Sequence, residues 1–228
     1  MAKTNPISKN ITKGIYIMNS NVVKVKKVLE AFLESAEKDD AEKIKITKMY
    51  NGDYAANMLK EIKARFYQEY ISSQKQIHEI CAKAIEDVVA KDILCGDDIT
   101  QDAKLIADDS PFTLTKEQFE SLILKYAGKN NTMCVLLRQY YEKNRSRYLA
   151  INEVMHAGIA NREERIDAWK GIENGALGIL TDVFDEYYNT DERHIEATKR
   201  HRLWPAKLAV KDFMSTEISR RLINLVEY

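Results

Sequence analysis

Apolar residues recur every three or four positions along most of this chain, which is the spacing of one face of an α-helix. Asp39 and Asp40 interrupt the first apolar series, so we expect a break in the first helix at these residues. Asn51 and Gly52 form a turn signal before the next helix. The first series consists of Val22, Val25, Leu29, Phe32, Leu33 and Ala36.

The longest uninterrupted pattern runs from residue 53 to about residue 92 and contains neither Gly nor Pro. A helix of about 38 residues would be about 57 Å long, which favours a coiled coil or a long helical hairpin. We expect its apolar seam to bury against a copy of the chain or against another helix of the same chain. A charge at Ile62 or Ile77 should then break the fold or the association. The seam consists of Leu59, Ile62, Phe66, Tyr70, Ile77, Ile80, Ala84 and Val88.

The rest of the chain divides into shorter helices with recognisable ends. Thr115 and Gln118 have the spacing of a capping box, in which each side chain binds the other residue's backbone amide. Gly128 ends that helix, and the next one starts at Asn131 or Thr132. No strand-like alternation is present, so we predict an all-α fold, with a long helix or helical hairpin plus a helical bundle. We divide the chain into an N-terminal arm (1–20), a long-helix or helical-hairpin region (21–96), a small helical module (97–150) and a C-terminal helical region (151–228).

Composition and charge support the helical prediction and narrow the function. The 228 residues include only 8 Gly and 3 Pro, and 31% of them are charged. Lys plus Arg and Asp plus Glu both number 35, so the formal net charge is zero. A dedicated nucleic-acid-binding protein usually carries a basic excess, so this balance argues against that class.

Cysteine usage and hydropathy indicate an intracellular protein. Three cysteines, none in a Cys-x-x-Cys pair, favour reduced thiols over a disulfide framework. No apolar run approaches the roughly 20 residues that span a bilayer, and the N-terminal arm does not have the pattern of a signal peptide. The arm carries an apolar patch at Ile15, Ile17 and Met18 by which it could dock. We expect a cytoplasmic protein, without membrane contact.

The segment LLRQYYEKNRSRY, residues 136–148, mixes basic residues with three tyrosines. Exposed aromatic rings beside basic residues could stack bases and neutralise phosphates. On a helix, however, the basic residues spread around the axis and the tyrosines face the core, which is the reading we prefer. A second basic cluster follows near residue 200. The residues that could contact nucleic acid are Arg138, Lys143, Arg145, Arg147, Lys199, Arg200 and Arg202.

Candidate catalytic and metal-binding residues are sparse. Glu153 and His156 have the Glu-x-x-His spacing of carboxylate di-iron bundles, but such sites need a second pair and two further glutamates. His78 and Cys81 could form half a zinc site, and no second half has matching spacing. Phosphate-binding loops and nucleophile motifs are absent. We therefore expect no catalytic residues, no cofactor and no metal.

Two segments carry a resemblance to a known group of proteins. One is MYNGDY, residues 49–54, at the start of the long charged helix; the other is the helical module over residues 102–144, with its TLTKEQF and LKYAGKNNTM runs. This pattern is similar to small helical proteins encoded by tailed phages and prophages of Gram-positive bacteria, several of which lie among head and scaffold genes. The resemblance implies a non-enzymatic virion structural or assembly protein that forms homo-oligomers and contacts other phage or host proteins. It assigns no functional residues.

Overall fold

The computed structural model describes residues 20–148, 151, 153–189, 204–213 and 225. These residues form seven α-helices and two short 3-10 segments, and none of them lies in a strand. The all-α fold class predicted from the sequence is confirmed. The helices are α1 (Ser20–Met49), α2 (Gly52–Lys91), α3 (Lys116–Tyr126), α4 (Asn131–Lys143), α5 (Glu153–Gly158), α6 (Arg162–Asn189) and α7 (Trp204–Asp212), and the 3-10 segments are Gly96–Asp98 and Gln101–Leu105.

Helices α1 and α2 form a long antiparallel hairpin. Helix α2 matches the helix predicted over residues 53–92, and its 40 residues make it about 60 Å long. The chain reverses at Asn51 and Gly52, as the turn signal predicted. Gly52 has a φ of +67°, in the left-handed region that glycine adopts without steric cost. Of the two alternatives for the long helix, the helical hairpin is the one observed.

The expected break at Asp39 and Asp40 is wrong, because α1 continues through both residues to Met49. Both aspartates are buried, and Asp39 accepts a charged hydrogen bond from Arg65 of α2. A carboxylate that meets a guanidinium across the hairpin can occupy a buried helical face, so the helix need not end there. The interruption in the apolar series marks a charged patch within the hairpin.

Helix α6 packs along both helices of the hairpin, and α7 packs against α1 and α6 to complete a four-helix bundle. The ring centroid of Phe66 lies 4.8 Å from that of Phe32 and 3.8 Å from that of Tyr187. Each fully buried large apolar side chain stabilises such a core by roughly 1.5–3 kcal/mol. The bundle core also contains Val22, Val25, Leu29, Ala36, Ile77, Cys81, Trp169, Ile172, Ala176 and Leu180.

A second core lies among the 3-10 segments and helices α3, α4 and α5. Thr115 and Gln118 form the predicted capping box: Thr115 Oγ1 accepts from the Gln118 amide at 3.3 Å, and Gln118 Oε1 accepts from the Thr115 amide at 2.9 Å. Helix α4 begins at Asn131 with Asn130 as its N-cap. This second core includes residues on both sides of residue 150, namely Phe119, Ile123, Met133, Leu137, Tyr141, Tyr148, Met155 and Ile159.

The C-terminal region contributes to both cores. Helix α5 packs on α3 in the module, whereas α6 and α7 pack on the hairpin. Phe213 is buried in the bundle and Leu225 packs partly against it. The predicted arm lies outside the described residues except for Ser20. None of the helices in the described part of the chain combines the length and the apolar character that crossing a membrane requires.

Candidate functional site

The predicted seam of α2 is buried inside the chain. Its partners are α1 and α6, so of the two possibilities left open by the sequence the seam meets helices of its own chain. In this fold the seam is therefore covered by the chain itself. The buried seam residues are Leu59, Ile62, Phe66, Ile77 and Ala84, whereas Tyr70, Ile80 and Val88 are half-buried.

The end of the hairpin has a small core of its own, built from Ile46, Ala55, Leu59 and Ile62 of α1 and α2. Around this core the hairpin tip, which we define as Met49, Tyr50 and Tyr54, is open to solvent. The exposed fractions are 59%, 39% and 60%, respectively. The rings of Tyr50 and Tyr54 meet edge to face, with centroids 5.1 Å apart. Tyrosine and methionine are enriched in protein interfaces, because tyrosine buries a large rigid ring at low entropic cost and methionine adapts to irregular surfaces. The tip is thus a candidate contact surface.

A buried charged cluster lies between the tip and the bundle centre. Asp39, Asp40 and Lys43 of α1 are all buried, and the Lys43 ammonium lies 3.4 Å from the centroid of the Tyr187 ring. Arg65 of α2 donates to Asp39 and, at 2.8 Å, to a nearby carboxylate of α1. Burial raises the pKa of Asp39, and the attraction of Arg65 offsets only part of this effect. The cluster is a structural element of the hairpin, in which Arg65 of α2 compensates the buried charge of Asp39 of α1.

The basic segment in α4 and the following turn is largely engaged within the chain. Arg138 binds Glu164 of α6 through two hydrogen bonds, of 2.5 and 3.0 Å. Lys143 Nζ lies 2.7 and 2.6 Å from the two carboxylate oxygens of Asp108. Arg145 and Arg147 are exposed. Lys199, Arg200 and Arg202 lie outside the described residues.

The tyrosines of this segment pack into the module, as the preferred reading of the sequence predicted. Tyr141 and Tyr148 are buried, and Tyr140 is half-buried. The Tyr148 hydroxyl donates to the Leu114 carbonyl at 2.9 Å, and burial raises the pKa of Tyr148. Rings that are held in a core cannot stack on bases, so these tyrosines do not form a nucleic-acid platform.

A cleft of about 950 Å³ opens where the bundle meets the module. We call it the junction cleft. It lies between the start of α1, the end of α2, α4 and the start of α6, and Arg138, which pairs with Glu164, is one of its lining residues. Its volume is within the range of ligand sites, which is roughly 300–1,000 Å³. The apolar lining comes from Ala84, Val88, Leu94, Val135, Ile159, Ala160, Ile166 and Trp169.

Arg165 gives the junction cleft a charged group. Its Nε donates to the Ala160 carbonyl at 3.2 Å, and its two terminal nitrogens make no hydrogen bond or ion pair among the described residues. Burial lowers the pKa of Arg165, whereas Asp92 and Glu164 counteract this effect through space. Arginine nonetheless keeps its charge at neutral pH. The cleft therefore combines apolar walls with a half-buried cation.

The other candidates for chemistry do not assemble into a site in the described part of the chain. His78 Nδ1 lies 2.7 Å from Glu173, and burial, with a contribution from Glu173, raises the pKa of Cys81 to about 12. A thiol with that pKa is protonated at neutral pH and is a poor nucleophile. His156 packs edge-on against Tyr141. No three His, Cys, Asp or Glu residues among those described are placed to hold a metal ion. Asp191 and His194, the Asp-x-x-His pair that is the sequence's only match for Glu153 and His156, lie outside them.

No protein-family model, no curated protein and no solved structure matches this chain.

Sequence reasoning missed the tip and Arg165, although both had signals. Met49, Tyr50 and Tyr54 flank the Asn-Gly turn, and aromatic residues at a predicted turn are expected to be exposed. Arg165 precedes Trp169 by four residues, so it shares the inward face of α6 with a buried ring. A cation on an inward face is a signal in itself, because charged residues are seldom buried without a partner.

Proposed function

We propose that this protein is a non-enzymatic structural or assembly protein of a tailed phage or prophage, acting through helix-mediated contacts with its own copies and with other phage or host proteins. The observation that supports this function is the hairpin tip, where Met49, Tyr50 and Tyr54 are exposed at the end of a two-helix projection. Exposed aromatic and methionine side chains gathered at one point favour a contact surface.

Self-association through the tip replaces association through the α2 seam. The seam is already covered by α1 and α6, and opening the bundle to expose it would sacrifice the burial of Phe66 and Ile77. The tip needs no such rearrangement. The phage setting comes from the resemblance of residues 49–144, a range that begins at the tip.

The solution mass of the protein, measured by light scattering after gel filtration at low and high salt, tests this proposal. We expect a dimer or larger assembly at both salts, because apolar contacts are weakly sensitive to ionic strength. Tyr54→Glu should shift the protein to the monomer, since a charge at the centre of an apolar contact loses hydration without gaining a partner. Glutamate suits the first turn of α2, so the fold should persist.

Ile71→Glu is the matched control. Ile71 is an exposed apolar residue of the same helix, about 25 Å from Tyr54 along α2. The control should keep the parental mass. A parental protein that is monomeric at both salts, or a Tyr54→Glu variant that keeps the parental mass, would contradict self-association through the tip.

Nucleic-acid binding is the alternative function. Among the described residues, the candidate contacts that still favour it are Arg145 and Arg147. Both are exposed in the turn that follows α4. If they contact phosphates, affinity for DNA or RNA should fall steeply with salt, and Arg145→Ala with Arg147→Ala should reduce the salt slope by about 2. Absence of binding at low salt would remove this alternative.

A further inference from the structure

The junction cleft contains an arginine whose charge is not matched by any direct contact in the described structure. Arg165 Nε is held by the Ala160 carbonyl, which orients the guanidinium plane and leaves both terminal nitrogens without a partner among the described residues. The two acidic groups that act on it are engaged elsewhere. Asp92 accepts from Asn131 at 3.3 Å and lies 3.9 Å from Arg162, and Glu164 accepts both hydrogen bonds from Arg138.

A guanidinium in this position is suited to a carboxylate. Its two terminal nitrogens form a planar fork that can donate two parallel hydrogen bonds to the two oxygens of one carboxylate. In a partly buried site such a pair is stronger than at the surface, because less water competes for the charge. The orientation imposed by Ala160 lowers the entropic cost of forming it.

The remainder of the cleft indicates a peptide. Leu94 is exposed and Val88 and Ile166 are half-buried, so these lining residues offer apolar surface that a small inorganic anion would leave uncovered. The rim is mixed in charge, with Lys91 and Arg162 opposed by acidic residues that include Glu163. A polyanion such as a nucleic acid would bring many charges against these acidic groups, whereas a segment with one carboxylate flanked by apolar side chains brings a single charge, which Arg165 can offset.

We propose that the junction cleft binds a peptide segment of a partner protein that carries one carboxylate between apolar side chains, and that Arg165 receives this carboxylate. The site lies at the opposite end of the hairpin from the tip, about 50 Å away along α2. It is therefore independent of self-association, and failure of one proposal leaves the other standing.

Nuclear magnetic resonance titration of the full chain tests the site directly. The observed signals are the Nε–H group of Arg165 and the indole N–H group of Trp169, which both belong to residues lining the cleft. The probe is the blocked tripeptide acetyl-Leu-Glu-Leu-amide, compared with the same peptide in which Gln replaces Glu. We expect saturable shifts of both signals with the Glu peptide and at least about tenfold weaker binding of the Gln peptide, equivalent to about 1.4 kcal/mol.

Variants assign the carboxylate to Arg165. Arg165→Gln should abolish the preference for the Glu peptide, and Arg162→Gln at the rim should retain it. The comparison of the two peptides on the parental protein needs no variant, so the test holds even if Arg165→Gln fails to fold.

Three outcomes would overturn the proposal: no saturable shift with the Glu peptide, equal shifts with both peptides, or displacement of the Glu peptide by inorganic phosphate at equal concentration. The last result would identify a general anion site rather than a peptide site.

Discussion

At the scale of single residues, the hairpin is unusual because charged side chains occupy buried positions at which a regular apolar series would place leucines. The side chain of Asp39 is only 3% exposed, whereas that of Arg65, its partner across the hairpin, is 47% exposed. The second carboxylate oxygen of Asp39 makes no hydrogen bond among the described residues. Because the buried charge of Asp39 is compensated by Arg65, these two residues favour the alignment of α1 and α2 that brings them together.

Replacing Arg65 should destabilise the protein in a pH-dependent manner. We expect Arg65→Gln to lower the free energy of unfolding at neutral pH by about 1–3 kcal/mol, a range discounted for solvent access at this half-exposed position. Burial already holds the pKa of Asp39 above its ordinary value of 3.8, so its contribution to stability falls as pH rises from that value through the folded pKa. Without Arg65 the pKa of Asp39 rises further. The loss of stability caused by Arg65→Gln should therefore be smaller in acid, where Asp39 is protonated. Urea unfolding at neutral pH and at about pH 4 measures both effects.

The companion substitution Asp39→Asn controls for this interpretation. In the Arg65→Gln background it should recover most of the lost stability at neutral pH, because the buried charge is gone. An equal loss at both pH values, or no recovery by Asp39→Asn, would show that the two residues are not coupled.

At the scale of elements, the ends of the helices follow from local chemistry, and the prediction was accurate there. Helix α2 was expected over residues 53–92 and spans Gly52–Lys91. The predicted capping box at Thr115 forms, and Asn161 caps α6 in the same way, since each cap requires only a side chain and an amide three residues away. The break expected at Asp39 failed for a non-local reason, because its compensating partner lies 26 residues away.

The two ends of the α2 seam should respond differently to a buried charge. Ile77 lies in the bundle core and Ile62 in the small core near the tip. Ile77→Asp should therefore unfold the protein, since a buried unpaired charge costs several kcal/mol. Ile62→Asp should mainly loosen the end of the hairpin. Hydrogen exchange, measured separately for peptides from the tip and from α6, distinguishes the two cases.

Ile71→Asp is the surface control for both substitutions, because Ile71 is exposed on the same helix. The variant should keep the parental helicity. The free energies of opening obtained from hydrogen exchange should differ from the parental values by no more than about 0.5 kcal/mol. If Ile62→Asp accelerated exchange in α6 as much as in the tip, the small core would not be a separate unit.

At the scale of the whole molecule, two cores meet at one junction. Arg138 of α4 and Glu164 of α6 connect the module to the bundle, and Arg138 also donates to the Ile159 carbonyl at 3.4 Å. Thr132 accepts from the Cys95 amide at 3.0 Å, which ties the segment after α2 to the start of α4. Arg138 and Ile159 line the junction cleft, so its shape depends on both cores remaining in register.

Glu164→Gln should weaken the junction. Burial alone would raise the pKa of Glu164, but Arg138 and the Asn161 amide outweigh it, so the folded pKa lies below the ordinary value of 4.5. The stabilisation from this carboxylate is therefore present above about pH 4.5 and is lost as pH falls through the folded pKa. We expect a loss of about 1–2 kcal/mol at neutral pH, measured by urea unfolding and by hydrogen exchange in α4.

Glu142→Gln is the matched control, because Glu142 also faces Arg138 but at 3.6 Å and within the same helix. Exposed pairs of this kind contribute about 0.3–0.5 kcal/mol. If the two variants lost equal stability, the Arg138–Glu164 contact would not be what links the cores.

The candidate sites were less predictable than the helices. The residues of the α2 seam were found from their spacing, but spacing alone does not state whether a copy of the chain or another helix covers them. The tip lies beside the Asn-Gly turn that was recognised, and Arg165 lies four residues before the buried ring of Trp169. The exposure of the tip and the lack of contacts at the terminal nitrogens of Arg165 nevertheless depend on what packs nearby. Arg138 and Lys143 were assigned to possible phosphate contacts and instead bind carboxylates 26 and 35 residues away.

The sequence by itself determined the all-α class, the position of the long helix, its reversal at Asn51 and Gly52, and the caps of the shorter helices. These features depend on interactions between residues within about four positions, which periodicity and cap chemistry report directly. Only the tertiary structure decided that the seam is covered by α1 and α6, that Asp39 remains inside a helix, and that Arg165 stands in a cleft without a direct partner among the described residues. Each of these depends on which faces meet across the chain, and burial and electrostatic compensation are set by neighbours in space rather than in sequence.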